Sequence, residues 1–241
     1  MKLYLGNRSY SSWSLRVWLL MDALAMPFEE ELIGFDDLQE TSPFKQRTRA
    51  LSPAGKVPIV QDGAITVWDS LAIVEYLAER YPDKPVWPTS PAQRALARSA
   101  CAHLHSSYLS VRGLLPMNIG VDLSAVGQAL AGHASLQREL HELFALWQAL
   151  VQHSEGPFLF GQFGAVDAFF APYLFRLSSY GIALPAALRP YRDALMALPS
   201  LRNWAERAAQ EYTFVPAEEP YRTITGGTIQ LHLAALDGTD R

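Results

Sequence analysis

Residues 57–80 read VPIVQDGAITVWDSLAIVEYLAER, and the arrangement of the first third of the chain follows from them. VPIV (57–60) and AITVW (64–68) are short apolar runs parted by Gln61-Asp62-Gly63. An Asp-Gly pair between two such runs predicts an antiparallel hairpin. In SLAIVEYLAER (70–80), Leu71, Val74 and Leu77, with Ile73, cover one face at helical spacing, and Asp69 or Ser70 stands where a cap is needed. Upstream, KLYLG (2–6) reads as a strand, SLRVWLLMDALA (14–25) as a helix apolar on most sides, and FEEELI (28–33) as a weaker strand. A helix between the first two strands makes them parallel neighbours. The predicted order is β-α-β-(α)-β-β-α, a mixed four-stranded sheet with helices on its faces.

Downstream the pattern changes. YPDKPVWPTS (81–90) holds three prolines and no helical period, so it reads as a linker. Helical patterns then fill 91–112, 135–153, 167–180 and 199–212, and Pro116 should break or end the first. Residues 213–241, with Thr225-Gly226-Gly227-Thr228 and a polar end, read as a partly ordered tail that packs back on the surface. The expected division is an α/β domain over 1–80, a linker over 81–90, an all-α domain over 91–212 and a tail over 213–241.

Composition narrows the function. The 241 residues are 49% hydrophobic and 18% charged, which is globular, and the net charge of −4 provides no basic field for nucleic acid or anionic lipid. No apolar run approaches the roughly 18–20 residues that span a bilayer, so neither nucleic acid nor membrane is an expected partner. The N-terminal MKLYLGNRSY lacks an apolar signal core. A single cysteine, Cys101, allows no internal disulfide and no cysteine-rich metal site, which fits a cytoplasmic chain. Cys101 lies in an apolar helical stretch and is expected to be buried and inert. No Walker loop or dinucleotide-binding glycine pattern occurs.

Three short stretches carry chemistry. Ser9-Tyr10-Ser11-Ser12-Trp13-Ser14 lies between the first strand and the first helix. Serine there caps a helix, and it can equally present a hydroxyl beside free amides that favour an anion. Val57-Pro58 opens a strand within SPAGKVP (52–58); a proline at a strand start cannot donate to the ladder, and with a cis bond Val57 would offer its backbone to an extended peptide. Asp69-Ser70 starts the helix at 70–80, either as its cap or as a receptor for a carboxylate and an ammonium.

In order and spacing these stretches resemble the glutathione transferase superfamily, nearest to zeta-like or theta-like bacterial members. Tyr10-Ser11-Ser12-Trp13-Ser14-Leu15-Arg16-Val17 is similar to a zeta S-S-C-S-x-R-V pattern with Trp13 replacing the cysteine. Ser52–Pro58 is similar to N-P-x-x-K-V-P, and Asp69–Leu77 to E-S-x-A-I-x-x-Y-L with Asp69 for glutamate. Gly164–Pro172 is similar to the family's buried helix start, but Gly164 stands at its usual serine or threonine, so Asp167 must serve that end. The resemblance covers about residues 2–212. It implies a thioredoxin-like N-terminal domain, an all-α C-terminal domain, a homodimer, glutathione as cosubstrate and a small electrophilic second substrate.

The resemblance also distributes roles. Ser11, or Ser12 if the count runs back four from Arg16, would donate to the thiolate, beside Trp13. Val57 and Pro58 would hold the cysteinyl backbone, Asp69 the γ-glutamyl ammonium, Ser70 its carboxylate and Lys56 the glycine carboxylate. A thiol of pKa about 8.5 needs a drop of about 2 units, ~2.7 kcal/mol, to react at neutral pH. A hydrogen bond to the charged sulfur supplies ~1.5–3 kcal/mol and a helix N-terminus ~0.3–1 kcal/mol, so serine suffices. Arg16 is expected to pair with a carboxylate as a structural residue. Tyr108, Arg112, Met117 and Asn118 are second-substrate candidates by position. The expected activity is thiol transfer to an electrophile; a zeta-like cis-trans isomerase and a non-catalytic scaffold of the same fold are the alternatives.

Overall fold

The computed structural model describes residues 1–36, 38–152 and 154–233. Strands β1 (Lys2–Leu5), β2 (Glu29–Leu32), β3 (Ile59–Asp62) and β4 (Ile65–Val67) form one sheet in the order β2-β1-β3-β4. β1 and β2 pair in parallel with Leu3 opposite Glu30, and β1 and β3 pair antiparallel with Leu3 opposite Val60. Gly63, at φ +60°, turns the β3–β4 hairpin as its Asp-Gly signal requires. Helices α1 (Ser12–Ala23), α2 (Pro43–Leu51) and α3 (Ser70–Arg80) complete this part. The thioredoxin-like arrangement expected of the N-terminal part is therefore present.

Residues 91–210 are mainly helical: α4 (Pro91–Ser106), α5 (Leu109–Leu114), α6 (Ser124–Ala129), α7 (Ala134–Gln152), α8 (Ala165–Ser179), α9 (Arg189–Ala197) and α10 (Pro199–Gln210). The expected helix at 91–112 is broken nine residues before Pro116, between α4 and α5, where Tyr108 takes φ +60°. The end of the helix expected to reach 153 lies at a position outside the described residues. Helices α6 and α9 lie outside the expected helical stretches.

One core joins both parts. α1 packs on α8, and from Ala165 to Leu177 every residue of α8 is buried. Asp167 holds the start of α8, accepting from the Gly164 and Leu159 N–H groups at 2.9 and 3.0 Å and from the Tyr191 hydroxyl at 3.0 Å. The cap residue is glycine for a steric reason: a Cβ on Gly164 would sit 3.0 Å from the carbonyl oxygens of Pro85 and Val86, where the linker crosses. Burial pushes the Asp167 carboxyl up to about 7 despite those bonds. A second tie is ionic. Buried Arg8 pairs with Glu30 at 2.7 Å and with Glu211, and Arg207 of α10 also reaches Glu30. Burial raises the Glu30 carboxyl, but the bonds from Arg207 and Trp18 and the charge of Arg8 bring it below its ordinary value.

The described part of the C-terminal segment contains regular structure. After a short helical turn at Pro216–Glu218, β5 (Arg222–Thr225) and β6 (Thr228–Leu231) form a hairpin whose turn is Gly226-Gly227, at φ +58° and +80°. Glycine satisfies both positive angles without a Cβ clash. The part of the expected tail over 234–241 lies outside the described residues. Among the described residues no helix is long and apolar enough to cross a membrane.

Candidate functional site

A cleft of about 570 Å³ opens where the sheet part meets the helices and the C-terminal segment. Its first wall is the loop between β1 and α1. The Ser11 N–H donates to the Asn7 carbonyl at 2.8 Å, and the Ile119 N–H donates to Ser9 from the far side. Ser11 is the N-cap of α1. Its oxygen accepts from the Ser14 N–H at 3.3 Å, and its hydroxyl donates to Ser14 Oγ at 2.7 Å, which also accepts from the Gly6 N–H. Ser12 is bound differently. Its buried Oγ accepts from Nη2 of Arg176 at 3.2 Å, which leaves its own proton to donate.

Ser11, Ser12, Trp13, Lys56 and Val57 all line the cleft. Val57 precedes β3, and its N–H and C=O make no hydrogen bond among the described residues. The Val57–Pro58 bond is cis. Lys56 is exposed, while Lys45 donates to the Gly55 carbonyl at 3.2 Å. Pro58, Asp69 and Ser70 lie outside the residues that line the cleft. Pro58 is buried at the head of β3. Asp69 caps α3 through the Leu71 N–H at 3.1 Å, and its other oxygen lies 3.1 Å from Nε2 of His105, whose ring meets Trp13 edge-on at 4.9 Å. The Ser70 hydroxyl is buried and has no hydrogen-bond partner among the described residues.

The second wall comes from distant elements: Arg112 and Met117 from the α5 end, Arg176 from the last turn of α8, and Glu218. Arg112 and Met117 were expected in a second-substrate pocket. Tyr108 and Asn118 were too, but both are buried away from the cleft, Tyr108 with its ring against Tyr173. Arg176 and Glu218 were not expected. A lone charge near the end of the apolar run AVDAFFAPYLFRLSS (165–179) was the signal for Arg176. Arg176 is buried, lacks a carboxylate in hydrogen-bonding contact among the described residues and has an unpartnered Nε; burial lowers its pKa.

Arg16 corrects another expectation. No carboxylate pairs with it among the described residues; its guanidinium lies 4.3 Å from the Trp13 ring and 4.7 Å from that of Phe169. Burial pushes its pKa down to about 10. Aromatic faces stabilise a delocalised cation where a carboxylate has no room. Cys101 is fully buried, and burial drives its thiol well above the ordinary range.

Comparison with known proteins fits this geometry. A family model described as the N-terminal domain of glutathione S-transferase matches residues 10–80, and one for the C-terminal domain matches residues 124–207. Glutathione S-transferase GstB of Escherichia coli K12 is 31% identical over 182 residues, covering 74% of this chain and 84% of the relative. The chain belongs to the glutathione S-transferase family. A probable maleylacetoacetate isomerase of Caenorhabditis elegans is 28% identical to this transferase-family chain over 226 residues, 93% of the chain and 95% of the relative. Among solved structures, a glutathione transferase homolog from Burkholderia with bound glutathione superposes at TM-score 0.66 and 23% identity, covering 87% of this chain and 98% of that one. That likeness establishes the shared fold.

Proposed function

We propose that this enzyme binds glutathione in the cleft and that Ser12 donates its hydroxyl proton to the thiolate, which then attacks an electrophilic small molecule. The observation that carries the reading is the Arg176–Ser12 bond. A guanidinium on the serine oxygen occupies a lone pair and makes the hydroxyl a stronger donor. Ser11, whose proton goes to Ser14, acts by capping the helix whose free amides face the same sulfur. The tripeptide's cysteinyl backbone pairs with Val57, and its γ-glutamyl end reaches Asp69 and Ser70 at the start of α3. Its glycine carboxylate meets Lys56 and Lys45. The thiol proton passes to water, and the electrophile enters over Met117 and Arg112.

Residues 1–80 serve as the glutathione-binding domain, and 91–212 supply the second-substrate wall. Exposed Ile65, Trp68 and Leu96 offer apolar surface to a second copy in a homodimer. A cytoplasmic setting fits the reactivity of a free thiol. Arg112 and Arg176 favour a second reading, reversible addition of glutathione to an acidic alkene, as in an isomerase. The test is calorimetric titration with glutathione, followed by conjugation of 1-chloro-2,4-dinitrobenzene. Binding with turnover is expected; no binding at millimolar glutathione would turn the reading to a scaffold.

A further inference from the structure

Four cationic side chains line the cleft, Lys45, Lys56, Arg112 and Arg176, and among the described residues one carboxylate faces them, that of Glu218. It belongs to the C-terminal segment, outside both stretches that match the family. Its place is set from either side. Val215 before it is buried. Glu219 after it is buried too, and accepts from the hydroxyls of Tyr10 and Tyr212 and from Arg222. Tyr221 anchors the next turn by donating to the Leu114 carbonyl at 2.9 Å.

Glu218 itself is half-buried, and its carboxylate makes no hydrogen bond among the described residues. A carboxylate held from water without a donor is costly unless a charge offsets it. Here the offset is Arg176: burial pushes the Glu218 carboxyl up, and the Arg176 charge pulls it back. Among the described residues no acid lies within ion-pair distance of Arg176, and Glu218 is the one carboxylate that lines the cleft with Arg176 and Arg112, so it alone answers their charge there.

We propose that Glu218 is a specificity-determining residue that reserves the second-substrate half of the cleft for uncharged electrophiles, because its carboxylate already occupies the field of Arg176 that an anionic substrate would need. The proposal rests on the transferase reading above and names its substrate class. An acidic substrate must approach Arg176 against Glu218, and like charges brought together in a cleft oppose binding. An uncharged ring instead meets Phe35, Leu38, Leu109 and Met117. Between the two enzymatic readings, Glu218 therefore favours transfer over isomerisation of a dicarboxylate.

The test is Glu218→Gln, which keeps the shape and removes the charge. Wild type and variant are compared on 1-chloro-2,4-dinitrobenzene and on 4-chloro-3,5-dinitrobenzoate. Both proteins are also titrated calorimetrically with 4-nitrobenzoate. In the variant the preference for the benzoate over the neutral substrate, as a ratio of kcat/KM values, rises roughly fivefold or more through KM, and 4-nitrobenzoate binds tighter by a similar factor. Glu218→Asp, which restores the charge, returns both readings toward wild type. An unchanged ratio, or 4-nitrobenzoate affinity equal in wild type and Glu218→Gln, overturns the proposal. The titration involves no glutathione chemistry. If wild type turns over neither substrate, the transferase reading fails, while the 4-nitrobenzoate result still decides the role of Glu218.

Discussion

The wall that carries Ser11, Ser12 and Val57 is made of loop ends shaped by their own neighbours, whereas the facing wall gathers Arg112, Arg176 and Glu218 from three separate elements. On the first wall, Ser11 and Val57 are placed by their own neighbours, Ser11 by Ser14, Ser14 by Gly6 and Val57 by the proline after it, while Ser12 takes its bond from distant Arg176. On the second, the local support of Arg176 is one long bond, 3.4 Å, to the Pro172 carbonyl of its own helix. Arg176 is otherwise held by the packing of α8 in the core and by a bond to a serine 164 residues away. On the proposed reading, the first wall handles what every reaction of the site shares, the sulfur, and the second what varies, the charge of the partner molecule.

The largest expected effect tests whether the walls meet at Ser12. Ser12→Ala should slow conjugation by about tenfold or more, since a hydrogen bond to a charged group is worth ~1.5–3 kcal/mol. It should also move the thiolate absorbance of bound glutathione to higher pH. Ser11→Ala should instead act mainly on the fold, lowering stability by about 1 kcal/mol through loss of a helix cap. If Ser11→Ala costs more turnover than Ser12→Ala, the division of labour between the two serines is reversed.

A smaller effect concerns the anchor of the second wall. Glu219→Gln leaves Arg222 without its acid and weakens the bonds from Tyr10 and Tyr212, so stability should drop by about 1.5–3 kcal/mol. At roughly 2–4 °C per kcal/mol for a chain of this size, Tm should fall by several degrees in a thermal melt. An unchanged Tm would mean that the segment contributes little to holding the cleft.

A further effect is a pH dependence at the root of α8. In the folded protein the Asp167 carboxyl is pushed up to about 7, against an ordinary value of 3.8. Between those values the folded state holds the extra proton. The Asp167 contribution is therefore fully present below pH ~4 and is lost as pH rises through ~7. Asp167→Asn is less stable, having one acceptor fewer, but it lacks this slope. The gap in Tm between wild type and variant should narrow from pH 4 to pH 7; a gap that widens would refute the raised value.

The same contrast explains what could be read from the sequence. The Asp62-Gly63 hairpin, the parallel β1–β2 pair and the three short stretches around Ser11, Val57 and Asp69 are local patterns, and local patterns survive without coordinates. Arg176 and Glu218 acquire meaning only from partners far along the chain. Arg16 was misread because a buried cation suggests an acid, and the ring of Phe169, which helps to satisfy it, comes from another helix. Gly226-Gly227 was visible as a turn, but its flanks are short and polar, so the strands beside it gave no alternation strong enough to raise the segment above a tail.

The phenol of Tyr10 donates to Glu219 across 209 positions of sequence, and so binds the residue beside the serines to the C-terminal segment. During synthesis the site is therefore finished late. Until Glu219 leaves the ribosome, the loop of Ser11 and Ser12 lacks one of its fastenings. Clipping the C-terminal end, whether by protease or by a stop codon, would register first as a fault at the opposite terminus.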